Sequence, residues 1–245
     1  MMWVQSAIPL EWQIGLTGFV IFLCPAFWFL YKSKRHKRTY RNMVRLKPTE
    51  IGFLQTGPVE VLGRVKSIEK TVTSPWARKP SVIYNFWVDK YVSGEDGGWC
   101  SYIDDWHKTP FLLKDDTGEV TIEAESGDCE LKIDRQCEST EDELKALLQN
   151  RYKKNTKGLL FNKTLRFRES FLEEDDQIYV YGEAKQVNGK WVISAGKEPL
   201  IINDEGETLA EKQRSGIGTL HLWLCYMCLA LAATFLLSAT CNSSP

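Results

Sequence analysis

Two stretches of this chain carry no charge, and much of what lies between them alternates between apolar and polar residues. The first, residues 14–31 (IGLTGFVIFLCPAFWFLY), is eighteen residues without Asp, Glu, Lys or Arg. As a helix it would be about 27 Å long, close to the hydrocarbon thickness of a bilayer. Pro25 is tolerated inside a membrane span, and Trp12, Trp28 and Tyr31 lie toward its ends, where amphipathic rings favour the headgroup region. No basic segment precedes the run and no small-residue cleavage site follows it, so it reads as an anchor and not as a cleaved signal. The second stretch, residues 217–239 (IGTLHLWLCYMCLALAATFLLSA), has twenty-three uncharged residues, about 34 Å as a helix.

Between them the periodicity changes to two. VEVLGRVKSI (59–68) alternates as a half-buried strand does, and SVIYNFWVDKYV (81–92) is rich in β-branched and aromatic residues. PFLLKDDTGEVTIEA (110–124) reads as strand, turn, strand, with Asp115 opening the turn and Gly118 closing it. DQIYVYGEAKQVNGKWVIS (176–194) repeats the pattern around Asn188-Gly189, a strong two-residue hairpin signal. One helix interrupts, over about 141–154. It is announced by a capping box at Thr140–Glu143 and carried by Leu144, Leu147, Leu148 and Tyr152; it is expected to pack on the barrel, with partner binding as the alternative. The predicted fold is mainly β: a small OB-like barrel or sandwich with one inserted amphipathic helix, bracketed by two transmembrane α-helices. The chain divides into an external tail (1–13), a first span (14–31), a basic juxtamembrane linker (32–48), a soluble β-rich domain (49–211), a second span (217–239) and a tail (240–245).

Charge then orients the arrangement. Lys32, Lys34, Arg35, Lys37, Arg38 and Arg41 follow the first span, and Lys212 and Arg214 precede the second. Basic residues flanking spans are retained on the cytoplasmic side, so the middle domain is expected in the cytoplasm and both termini outside. The six cations are also expected to contact anionic lipid headgroups. The whole chain has 31 Lys+Arg and 32 Asp+Glu; without those six, 25 remain against 32, a charge of −7. That acidic remainder argues against a nucleic-acid surface. Seven cysteines, three of them (Cys100, Cys129, Cys137) in the soluble part, do not pair into a disulfide framework, which agrees with a reducing compartment. Cys225 and Cys228 have C-x-x-C spacing but lie mid-span with no second pair.

Several pieces occur together and in order: VEVLGRV, SPWARKPSVIYNFWV, Trp99, PFLLKDDTGEVTIE, FRESFLEEDDQIYVYGEA and PLIINDEGETLA directly before the second span. In these residues the chain resembles the GIDE or BAM ("beside a membrane") family, as in the MULAN-type mitochondrial ubiquitin ligases, over roughly residues 56–209. The resemblance implies a membrane-bracketed domain that engages substrates or partners, placed in the ligases in the intermembrane space. It also implies, in the ligases, a RING domain after the second span, which needs about eight Cys/His ligands for two zinc ions. After Ala239 this sequence offers only Cys241, so ligase activity is not carried over.

Reactive constellations are few. Asp104, Asp105 and His107 are the candidate metal or acid–base residues, with a polar loop before the PFLL strand as the competing reading. The cluster Glu173–Asp176 reads as a solvated turn, and Asp128, Glu130 and Asp134 lack the loop of a calcium-binding hand. No phosphate-binding loop, nucleophile elbow or zinc-protease helix occurs. No catalytic or cofactor-binding residue is therefore assigned, and no cofactor. The expected function is an integral membrane protein presenting a cytoplasmic domain to an unidentified protein partner, non-catalytic by itself. The alternatives are a component of an E3 ubiquitin-ligase-type system, a hydrolase using Asp104–His107, or a barrel binding oligosaccharide or nucleic acid.

Overall fold

The computed structural model describes residues 10–68, 71–93, 97–138, 142–154, 164–205 and 207–242. Thr140 and Glu141 of the capping box, and residues 1–9 and 243–245 of the terminal tails, lie outside the described residues. The chain forms two units, Leu46–Ala210 and the pair of segments Met1–Arg45 with Glu211–Pro245.

Alternation becomes strand through most of the first unit. β1 (Gly57–Ser67) buries Val59, Val61 and Val65 while Leu62 and Arg64 stay exposed. The hairpin sequences fold as their turns dictate. β6 (Phe111–Lys114) and β7 (Glu119–Ile122) are joined by a turn closed from Asp115 N–H to the Gly118 carbonyl at 3.1 Å. β11 (Gln177–Val187) and β12 (Lys190–Ser194) meet through Asn188 and Gly189, both at positive φ (51° and 77°), as a type I′ turn requires. β1 pairs antiparallel with β11 over Gly57–Arg64 and with β6 from Arg64 onward. Gly63 stands where β1 turns between them; a Cβ there would lie 2.7 Å from the Lys114 carbonyl oxygen. β7 and β12 run parallel, so β1-β6-β7-β12-β11 closes on itself. This five-stranded ring with one parallel seam is the OB-like barrel, not the sandwich. Its interior is packed with Val61, Phe111, Leu113, Ile122, Val180 and Ile193 among others, each at most 1% exposed.

A second sheet is threaded between the barrel strands in sequence. A short ribbon, β2 (Val72–Thr73) with β3 (Pro80–Ser81), leads into β4 (Ile83–Val92) and β5 (Gly98–Lys108). After β8 (Asp128–Glu130) come β9 (Arg135–Cys137) and β10 (Leu165–Leu172), giving the antiparallel order β5-β4-β10-β9. β13 (Ile201–Asn203) adds to β11, with β8 parallel beside it. The helix α2 (Asp142–Asn150) packs on this second sheet, not on the barrel as the sequence suggested. Leu144 and Leu148, fully buried, join Trp76, Phe86, Val88 and Phe167 in a separate core. Each such leucine contributes about 1.5–3 kcal/mol. The tract from Asp104 to His107 lies within β5 and is not a loop.

In the other unit, α1 (Leu10–Arg45) continues through the basic tract, so residues 32–45 of the basic juxtamembrane linker are helical. It stops before Pro48, whose ring disfavours helix in the residue ahead. α3 spans Glu207–Asn242. Both helices are long and apolar enough to cross a membrane. They make antiparallel contacts: Phe22 stacks on Phe235 at 5.5 Å, Ser33 Oγ donates to the Gly218 carbonyl at 2.8 Å, and His36 stacks on His221 at 5.2 Å.

Candidate functional site

The second sheet has two faces of different character. One is largely covered. Tyr84, Phe86 and Val88 of β4 share it with Ile103, Asp105 and His107 of β5 by direct cross-strand pairing; α2 covers it around Phe86, Val88 and Ile103, and His107 stays exposed at its end. Just past α2, the Tyr152 hydroxyl donates to Asp105 Oδ2 at 2.6 Å, and Arg151 bonds the Tyr84 hydroxyl at 2.6 Å while reaching Asp105 at 3.4 Å. Burial, with the Asp105 carboxylate beside it, pushes the Tyr152 phenol well above its ordinary value, and Tyr84 is raised for the same reasons. His107 lies flat on Tyr84, ring centres 5.6 Å apart. Asp104 points to the opposite face. The three sequence candidates therefore divide: Asp105 and His107 share a face, each engaged with a neighbour, and Asp104 does not join them. Among the described residues no group of three His, Cys, Asp or Glu side chains could hold a metal ion. Cys129 is held as a thiol, because burial pushes it up to about 11.

On the same side the SPWARKP loop is clamped from below. Glu169 of β10, fully buried, accepts the Trp76 N–H at 2.8 Å and the Ala77 N–H at 2.7 Å. Burial raises its carboxyl despite those two donors and nearby Arg135. Arg135 covers the Trp76 ring at 4.3 Å. Loop and α2 border a groove of about 220 Å³ lined by Pro75, Trp76, Arg78, Leu147 and Arg151 among others.

The other face is open. A row crosses all four strands: Asp104, Trp87, Arg168 and Gln136 pair in turn. Asn85 pairs with Trp106, Asp89 with Ser101 and Arg166, and Tyr91 with Trp99. Trp99 and Trp106 are seven residues apart and would lie on opposite faces of a regular strand. The register shifts at Val88/Asp89, where Val88 opposes Ile103 and Asp89 opposes Ser101, leaving Tyr102 as an extra residue. That bulge moves Trp99 onto the face of Trp106. Arg168 stacks on Trp87 at 4.9 Å and ion-pairs with Asp89. Arg166 stacks on Trp99 at 4.0 Å, its Nε 2.7 Å from Glu138. Lys108 covers Trp106 at 4.9 Å, and Trp106 remains 39% exposed. Stacking holds each guanidinium flat and keeps its N–H edge available to carboxylates and carbonyls. Trp and Arg are also the residue types that dominate binding energy at protein interfaces.

Arg166, Arg168 and Glu169 were not singled out in the sequence. The period-two run LRFRESFL (165–172) contained the signal for the two arginines; nothing local marks Glu169, whose partners are more than ninety positions away.

A family model, GIDE, described as E3 ubiquitin ligase, matches residues 105–237, more than half of the chain. The match opens within β5 and runs through α2 and the later barrel strands into α3, whereas the motif resemblance began earlier, near residue 56. No curated protein and no solved structure matches the chain.

Proposed function

This chain belongs to the GIDE family, and on that premise we propose that it is an integral membrane protein whose barrel-and-sheet domain recognises protein partners. It serves an E3 ubiquitin-ligase-type system as the recognition part, without catalysis of its own, and the domain faces the cytoplasm. The observation that carries this reading is the asymmetry of the second sheet. One face is largely covered by α2, and the other carries half-buried stacked Trp–Arg pairs with Trp106 exposed beside them. The bulge at Tyr102 gathers the tryptophans there although it disrupts a regular ladder. The family match and the two long apolar helices support the ligase connection and the bilayer placement.

The test places a photo-crosslinking residue at Trp106 or Gln136 on the open face, and at Lys190 on the barrel as a control, in the full chain in its native membranes. Discrete protein adducts are expected from the sheet positions and not from Lys190, and Arg168→Ala is expected to reduce them several-fold. Identification of a ubiquitin-conjugating or RING-bearing protein among the adducts would support the pathway. Identical patterns from all three positions would sink the recognition face.

A further inference from the structure

The apolar run of α1 ends at Tyr31 and that of α3 begins at Ile217, and the Ser33–Gly218 bond sets these two boundaries side by side. Seven cations follow Tyr31 on α1, Arg45 in its last turn and the other six by Arg41, and helical geometry separates those six. Lys34, Lys37, Arg38 and Arg41 recur at i, i+3, i+4 and i+7, so they share one face. Arg35 falls about 100° away, and Lys32 is turned back over the Trp28 ring at 5.4 Å. The four that share a face border a groove of about 660 Å³, with Tyr40 and, from α3, Thr219.

We propose that this groove binds the phosphate-bearing headgroup of an anionic phospholipid. Charge complementarity is the first argument: four cationic side chains converge within two helical turns. Depth is the second. Lys34, Lys37 and Arg38 stand about 5–10 Å along the axis from the last apolar residue, which is the depth of the headgroup layer beside the hydrocarbon core. Long Lys and Arg stems reach such a layer readily, and Thr219 adds a hydroxyl from the second helix. The membrane is therefore the occupant that geometry favours, and the sequence's six-residue basic run resolves into a four-residue site with two bystanders. This inference rests on α1 and α3 being bilayer spans.

The experiment uses the full chain, purified in a neutral detergent and supplied with equal phosphatidylserine and phosphatidylcholine, with retained lipid counted by native mass spectrometry. Wild type is expected to retain phosphatidylserine selectively. Lys37→Gln with Arg41→Gln is expected to lower that selectivity about tenfold, while Lys32→Gln with Arg35→Gln leaves it within about twofold. Equal losses from both pairs would mean a diffuse basic tract and overturn the site. Displacement of the lipid by millimolar inorganic phosphate, or by a single-stranded oligonucleotide, would overturn it in favour of a soluble anion. All variants should remain in the membrane pellet after an alkaline carbonate wash. Release of the wild type at that step would defeat the spanning reading itself and the lipid site with it.

Discussion

Asp115 shows how much a single side chain can organise here. Its Oδ2 accepts the Ile51 N–H at 2.7 Å, sixty-four positions away, and its Oδ1 accepts the N–H groups of Thr117 and Gly118 and the Thr117 hydroxyl. Burial by itself would raise this carboxyl, but those donors hold it below its ordinary value of 3.8. A lowered folded value means that the stabilisation is complete above the ordinary value and is lost as pH falls through the folded one. Asp115→Asn is therefore expected to cost about 1–2 kcal/mol near neutrality and much less at pH values below the folded titration. Denaturation of the full chain at neutral and acidic pH measures both; an equal loss at the two would show that charge is not the cause. The turn role of Asp115 was legible from DDTG, because turn chemistry is local. Its grip on Ile51 was not, because that contact exists only once the barrel has closed.

Elements repeat the lesson. Leu144, Leu147 and Leu148 announced an amphipathic helix, and helix it is, but periodicity names an apolar stripe without naming the surface that receives it. The receiving surface is the second sheet, whose β5 was the element that alternation failed to reveal: the extra Tyr102 breaks period two and makes the tract from Asp104 to His107 look like a polar loop. Leu148 is fully buried in that helix–sheet core. Leu148→Ala is expected to destabilise the domain by about 2–4 kcal/mol, read as a lower denaturation midpoint in the detergent-solubilised full chain. A change below about 0.5 kcal/mol, the range of surface substitutions, would mean that α2 does not cover this face.

At the scale of the whole molecule, the strongest prediction concerns sidedness. Cys100 is an exposed thiol on β5, and the topology proposed from the basic residues flanking both apolar stretches would put it in the cytoplasm. In a variant retaining Cys100 alone, an impermeant maleimide is expected to label only after the cells are permeabilised. Labelling of intact cells at the same rate would reverse the topology and the compartment of the proposed recognition face. The reducing environment that the odd cysteine count suggested in the soluble part would go with it.

What the amino-acid order determined alone are the features whose cause lies within a few residues. Those are the two stretches too apolar and too long for ordinary loops, the hairpins at Asp115–Gly118 and Asn188-Gly189, and the helix near Leu144. Barrel closure was decided only in three dimensions, because it joins β1 to β11 across more than a hundred residues and sets β7 parallel to β12. So were the clamp of Glu169 on Trp76, the gathering of Trp99 with Trp106, and the grouping of Lys34, Lys37, Arg38 and Arg41 around one groove. Each depends on which distant segments share a surface. That choice is made by the best joint burial of several apolar faces against the entropy of closing the loops between them, and no short window of sequence contains it.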